Sequence, residues 1–214
     1  MKTTPAKPAR AALADHAPRT WQRMLSGRRL NLVEPSPLDI EIEDIALGLA
    51  RNTRWNGQTR GAHGWSVAQH SDLTVEIMRR LKPRAPASLL MATKLHDASE
   101  YVTHDLITPL KAVVGDVFKE VERRLTSAIY IRFGLKPVLS ADDKALIKKA
   151  DIIAAATEAV QLAGFTAAEC KNVLNFKEKP LKDVTLTPLP VADAERQFLA
   201  GFRILEKALA LQTR

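Results

Sequence analysis

The sequence predicts an all-α domain, and three observations carry that prediction. Apolar residues recur at three- and four-residue spacing in one segment after another, the signature of helices with one buried face. Proline- and glycine-bearing stretches separate those segments. No stretch shows the strict apolar–polar alternation of a half-buried strand, and there is no internal repeat or low-complexity tract. At 214 residues, with 46% hydrophobic and 26% charged, the chain has the size and composition of one globular domain with appendages.

The expected elements follow in order. Residues 1 to about 19 read as a disordered lead-in, and residues 20–38, with Pro35 and Pro37, as a tether or partly packed arm. Helix begins near Asp39, which can cap it, with Ile42, Ile45, Ala46 and Leu49 on one face. Arg54 to Trp65 holds three of the nine glycines and is a loop. Ser66 with Gln69 forms a capping box for the next helix, whose stripe is Val67, His70, Thr74, Ile77 and Leu81. Pro83 and Pro86 separate it from a third helix with Leu89, Ala92, His96 and Ser99 on one face.

His104 to Lys111 reads as a loop. A long helix then carries Val114, Val117, Val121, Leu125 and Ala128 inward and ends near Gly134. Another runs from Ser140 to Gly164, with Leu146, Ala150, Ile153, Thr157 and Val160 in line. Residues 171–192 read as irregular, and a last amphipathic helix bears Phe198, Phe202, Leu205 and Leu209. The sum is a bundle of about six helices with a C-terminal helix packed on it. It divides into a basic arm over 1–38, a helical domain over 39–165 and an extension over 166–214.

The formal net charge of +8 invites a nucleic-acid reading, but its distribution weakens that reading. Residues 1–30 hold seven Lys and Arg against one acid, whereas the rest of the chain holds twenty-five against twenty-three. The excess therefore sits in a tail, and a solvated end is the simpler account of it. No apolar run approaches the ~20 residues that span a bilayer, so no membrane association is expected. The single cysteine, Cys170, rules out an internal disulfide framework and suits a cytoplasmic setting.

There is no P-loop, dinucleotide-binding glycine motif, nucleophile elbow or zincin helix. What stands out is a set of histidines and acids on faces that ought to be apolar: His70, His96 with Asp97 beside it, and Asp151 flanked by Ile147, Ala154 and Ala155. A buried carboxylate is costly unless it is paired or binds a metal. Two imidazoles and two carboxylates from three helices would form a mixed nitrogen–oxygen site for one divalent ion, with Mn, Fe, Co, Ni or Zn all suited. Each residue also has a structural reading. His70 can be a satisfied core histidine, Asp97 a cap or lysine partner, Asp151 an ion-pair member with Lys148 or Lys149. Glu100 can be a surface helix residue, and Trp55 and Trp65 anchors for their loop.

The pattern of His70, His96-Asp97 and Asp151 resembles the HD-domain metal-dependent phosphohydrolases. Ser66-Val67-Ala68-Gln69-His70-Ser71 resembles the segment around the first metal histidine in their bacterial 5′-deoxynucleotidase branch. The run His96-Asp97-Ala98-Ser99-Glu100, Asp105-Leu106, Thr108-Pro109 and Lys111 is similar to that branch, as is the pair Arg54-Trp55. The likeness covers roughly residues 40–165. It implies an all-helical HD domain holding one divalent metal through His70, His96, Asp97 and Asp151. It also implies proton handling by Glu100 and Asp105, and a phosphate- and sugar-holding region at Arg54, Trp55, Thr108 and Lys111.

The residue chemistry agrees with these roles. Glu100 lies four residues after His96 and would face the same side of a continuing helix, where it could orient or deprotonate a water. Asp105 could protonate the leaving oxygen. Arg54 and Lys111 are phosphate clamps, and Trp55 offers a flat face to a sugar or base. The chain departs from the branch at Asn56-Gly57-Gln58-Thr59-Arg60-Gly61, where a differently shaped loop could admit a triphosphate. His63 and His104 are extra histidines near the site that could serve a second metal.

The expected function is release of phosphate from small nucleotides, foremost 2′-deoxynucleoside 5′-monophosphates, by attack of a metal-bound water. One alternative keeps the site and hydrolyses deoxynucleoside triphosphates or an alarmone pyrophosphate. Another is a nucleic-acid-binding protein using the basic arm. The partner expected is the small nucleotide itself. A homodimer built on the apolar face of the C-terminal helix is a further expectation, and burial of that face within the monomer would use the same residues.

Overall fold

The structure, a computed structural model, describes residues 19–212. The all-α expectation holds, with a C-terminal helix packed on the others. The helices are α1 (Ile42–Arg51), α2 (Val67–Leu81), α3 (Ala87–Lys94), α4 (Glu100–Thr103) and α5 (Thr108–Val114), followed by α6 (Asp116–Arg132), α7 (Ala141–Gln161), α8 (Ala167–Asn172) and α9 (Val191–Gln212). The expected lead-in lies outside the described residues except for its last position.

A two-stranded antiparallel hairpin precedes them: β1 (Trp21–Arg23) and β2 (Arg29–Asn31), with Gln22 opposite Leu30. The sequence reading contained no strand, because three-residue strands are too short to register an alternation. The hairpin is not a loose tether. Its turn is tied to α1 by Ser26, whose N–H and Oγ donate to Asp44 at 3.0 and 2.5 Å, and Leu30 is fully buried.

α1 starts at Ile42, not at Asp39. Asp39 ends a 3₁₀ turn, Pro37–Asp39, capped by Ser36. α1 buries Ile45, Ala46, Leu49 and Ala50, and Gly48 lets it lie directly on α4. A Cβ at Gly48 would sit 2.7 Å from Tyr101 Cβ. The chain then turns through Arg54–Gly57, where Trp55 and Asn56 both take the left-handed conformation. Ser66 caps α2 by accepting from Gln69 N–H at 3.2 Å. The Gln69 side chain does not close the box. It donates to Thr187 O and accepts from Leu189 N–H, pinning the irregular segment before α9.

α3 stops at Lys94, so the expected continuous helix through Glu100 does not form. Residues 95–99 pass in tight turns to α4, which ends at Thr103 just before His104, another residue with positive φ. α5 takes in Thr108 to Lys111, where a loop was expected, with Pro109 in the first turn, a position that tolerates the missing N–H. Gly115, at φ 78°, breaks the expected long helix in two. Val114 and Val117 are accordingly exposed rather than inward, while Leu125 and Ala128 are buried. α8 was also missed, although Thr166 and Glu169 form a full capping box.

The core lies where α2 meets α7, α3 and α1, with α9 laid across α1, α3 and α2. α9 buries Phe198, Phe202 and Leu205 in the same cluster as Ile77, Met91 and Leu95. Beneath α9 sits Lys94, 1% exposed, its ammonium on Asp72 and 3.9 Å from the centroid of the Phe198 ring.

Candidate metal centre

Three segments bring the predicted ligands together. His70 comes from α2, His96 and Asp97 from the turns after α3, and Asp151 from α7. One ligand atom from each lies within 4.8 Å of all the others. His70 Nε2 is 3.3 Å from Asp151 Oδ1 and 3.5 Å from Asp97 Oδ2. His96 Nε2 is 3.2 Å from Asp97 Oδ2. Nitrogen and oxygen ligands that each bind a cation at ~2.0–2.2 Å stand about this far apart across it.

The hydrogen bonds on the far side of each ring fit a metal. His96 Nδ1 donates to Thr93 O at 2.8 Å, which leaves Nε2 as a lone pair. That nitrogen is buried and has no hydrogen-bond partner. His70 Nδ1 donates to Glu158 Oε1 at 2.6 Å, which directs its Nε2 at the cluster. A carboxylate behind a ligating imidazole is the usual arrangement for fixing its tautomer. Besides the two carboxylates, His70 Nε2 meets only the Thr74 hydroxyl, at 3.5 Å, and that hydroxyl also donates to His70 O at 2.8 Å. Asp151 does pair with Lys148, as its structural reading expected, but through Oδ2 at 2.8 Å, while Oδ1 faces the imidazoles.

Electrostatics favour positive charge at this point. Burial and Arg54 both push the His70 pKa down, yet Glu158 and Asp151 outweigh them and raise it to about 10. Burial pushes Asp97 up, but the His96 and His70 imidazoles hold it well below the usual carboxylate range. Asp151 is held low against its burial in the same way, with His70 the main partner. Two ionised carboxylates facing two imidazole nitrogens in a buried pocket suit a divalent cation.

Glu158 is the residue that sequence reasoning missed. It is fully buried and receives three donors: His70, the Arg54 Nε at 2.8 Å and the Trp55 Nε1 at 3.2 Å. Burial would raise its pKa, but Arg54 and His70 lower it to about 2. The signal was there: a lone acid in the run Ala154-Ala155-Ala156-Thr157-Glu158-Ala159, two helical turns beyond Asp151.

The other predicted residues divide. Arg54 reaches the site, its Nη1 3.6 Å from both Asp97 and Asp105. Trp55 is held edge-on by Glu158 and lies 5.8 Å from the Phe165 ring, so it anchors its turn as well as flanking the site. Glu100 is buried at the N-terminus of α4, with Lys111 Nζ 3.5 Å from Oε1 and Oε2 unpartnered. Burial, and then the charges of Asp97 and Asp105, raise its pKa to about 9. Lys111 also lies 3.2 Å from Glu122. Thr108 is exposed at the start of α5 and is not brought to the cluster. His63 and His104 are exposed, and neither joins the ligand group. Trp65 is buried, as a loop anchor.

Beside the cluster opens a cavity of about 510 Å³, between α6 and α7, with His96, Asp97, Asp151, Glu100 and Lys111 on its inner wall. That volume is in the ordinary range for a small-molecule site. No helix among the described residues is long and apolar enough to cross a membrane.

No protein-family model matches the chain. It is 46% identical over 193 residues to the uncharacterized protein RCAP_rcc00048 of Rhodobacter capsulatus, a match covering 90% of this chain and 98% of that protein. It is 32% identical over 136 residues to the uncharacterized protein YfdR of Escherichia coli, covering 64% of this chain and 68% of that one. With likeness of that extent, the chain belongs to the family of RCAP_rcc00048 and YfdR.

Proposed function

We propose that this protein is a phosphohydrolase of the HD-domain type that holds one divalent metal and releases phosphate from small nucleotides, with 2′-deoxynucleoside 5′-monophosphates the first class to test. One observation carries the reading: His70, His96, Asp97 and Asp151 converge with a partnerless His96 Nε2 at the inner wall of a cavity that also presents Lys111. A divalent ion there would polarise a phosphoryl oxygen and bring the pKa of a water towards neutrality. A cytoplasmic setting, where small nucleotides are found, goes with this reading.

The chain's own residues supply the rest. Lys111 can meet a phosphate as a point charge at the cavity wall. Arg54, bonded to Glu158 through Nε, keeps Nη1 towards Asp97 and Asp105 and can spread phosphate charge. Glu100 holds its proton at neutral pH, because burial and two nearby carboxylates disfavour its anion. That suits it to donate a proton to the leaving oxygen, the role first expected of Asp105. Asp105 instead serves to orient Arg54.

The test uses chelator-stripped protein with Co²⁺, Mn²⁺ or Mg²⁺ restored, offered deoxy- and ribonucleoside 5′-monophosphates. Orthophosphate release that depends on metal, and that falls by a factor of about 10³ or more in Asp97→Ala, is expected. Metal binding without turnover of any nucleotide would overturn the hydrolase reading.

A further inference from the structure

A phosphate monoester carries at most two negative charges. A divalent ion held by the cluster, with Lys111 and Arg54, would already answer them. Yet the cavity continues outward past them and is lined by four more cations that no role so far uses: Lys119 and Arg123 on α6, and Lys144 and Lys148 on α7.

Their placement is ordered. Lys148 and Lys144 lie three and seven residues before Asp151, one and two turns out along the same helix face, or ~4.5 and ~10 Å of axial rise. Lys119 and Arg123 stand one turn apart on the facing helix. Lys144 makes no ion pair with any described residue. The pairs that the other three make, with Asp116, Glu120 and Asp151, are formed by cations with 64–69% of their side-chain surface exposed. Exposed pairs of this kind are weak and exchange readily for a better anion. Thr126 and Ser127, also on α6, add hydroxyls to the lining, and Val138 adds an apolar group. Five cations thus face a cavity with four carboxylates, of which Asp97 and Asp151 belong to the candidate metal cluster and Glu100 is buried.

We propose that this outer part of the cavity is a subsite for a second phosphate on the same small molecule, held by Lys119 and Lys144 with Arg123 and Lys148 beside them. The ligand is then a multiply phosphorylated nucleoside, and a plain monophosphate fills only the inner half of the site. The second phosphate can extend the 5′ chain or sit on the 3′ hydroxyl. The identity of the reacting phosphate rests on the hydrolase reading; the outer subsite does not.

The test is calorimetric titration of chelator-stripped full-length protein, so that turnover does not interfere. The probes are 2′-deoxyadenosine 5′-monophosphate, the 3′,5′-bisphosphate and the 5′-triphosphate. At least one of the latter two should bind about tenfold tighter than the monophosphate, the gain expected of a charge-assisted contact pair. Whichever of the two gains tells where the second phosphate sits. The Lys119→Ala/Lys144→Ala protein should lose that preference. Both side chains are exposed, so the fold is not at stake. Arg203→Ala/Lys207→Ala removes the same charge from α9 and should keep the preference.

Equal affinity for all three probes overturns the proposal, and so does an equal loss in the α9 control, which would mean net charge alone. Hydrolysis of the monophosphate with metal restored, but no preference in binding, overturns the subsite and leaves the hydrolase. Preference in binding with no turnover of any probe sinks the hydrolase reading and leaves the subsite.

Discussion

Glu158 makes three charged or polar contacts and has no exposure, so its environment leaves little room for replacement. Glu158→Gln keeps the shape but removes the charge that Arg54 and His70 face. Breaking a buried pair on one side costs about 3–5 kcal/mol, because the remaining charge is left uncompensated. It also frees His70 to turn, so metal affinity should fall by roughly 10–100-fold. Thermal melting and a cobalt titration check both; a variant with unchanged affinity would remove Glu158 from the role of orienting His70. Glu100 makes the opposite case. Its folded pKa, about 9, lies above the ordinary value of 4.5, so the folded state favours its proton. That preference is fully expressed below pH 4.5 and is lost as pH rises towards 9. Chelator-treated Glu100→Gln should therefore match the parent in stability near pH 4.5 and exceed it at pH 7, by roughly 2–3 kcal/mol. Urea midpoints at the two pH values measure this, and a difference that does not change with pH would sink the account.

At the scale of elements, a segment was legible where one face carries a long apolar stripe. α2, α7 and α9 each run fifteen residues or more, and the stripes through His70, Ile153 and Phe198 were visible in the spacing alone. Of the candidate ligands, His70 was legible for the same reason and Asp151 by its apolar neighbours Ile147, Ala154 and Ala155, whereas His96 and Asp97 were read on a helix that ends at Lys94. Short elements were not legible. β1 and β2 have three residues each, and α5 buries nothing, so neither leaves a periodic trace. The break at Gly115 was hidden because Val114 and Val117 continue a helical spacing while pointing to solvent. The contact of α1 on α4 was invisible too, since a glycine in a helix gives no sign of what lies against it. That contact places Glu100, whose carbonyl also receives Asn52 Nδ2 at 3.3 Å. Gly48→Ala would drive a Cβ to 2.7 Å from Tyr101 Cβ and 2.8 Å from its carbonyl oxygen. Both neighbours are close to the backbone and cannot swing aside, so α4 must shift. The expected cost is about 1–3 kcal/mol, with turnover reduced as Glu100 moves if the proposed hydrolase reading holds. An alanine variant with parental urea midpoint and rate would show that α4 yields freely.

The whole molecule is organised around α9, although the sequence suggested an extension outside the domain proper. α9 places Phe198, Phe202 and Leu205 in the common core and closes over Lys94. That lysine is two residues from His96, on the helix that delivers the HD pair, and its ammonium is held by Asp72 of α2. Burial lowers the pKa of Lys94 against the pull of Asp72, so the pair is a cost as well as a tie. Gly201 lets α9 lie on this pair: a Cβ there would come within 3.1 Å of Asp72 Oδ1. Removal of residues 191–214 would open the lysine to water and take Phe198, Phe202 and Leu205 out of the core, each worth about 1.5–3 kcal/mol when buried, leaving the apolar residues of their cluster uncovered. Against a typical margin of about 5–15 kcal/mol, that loss is decisive. A chain ending at residue 190 should therefore show no cooperative melt and no tight metal binding, because α2 and α3 would no longer be clamped in register. Near-ultraviolet circular dichroism during heating, with a cobalt titration beside it, checks the expectation. A truncated chain that melts cooperatively within a few degrees of the parent would mean that residues 39–165 hold the metal site unaided.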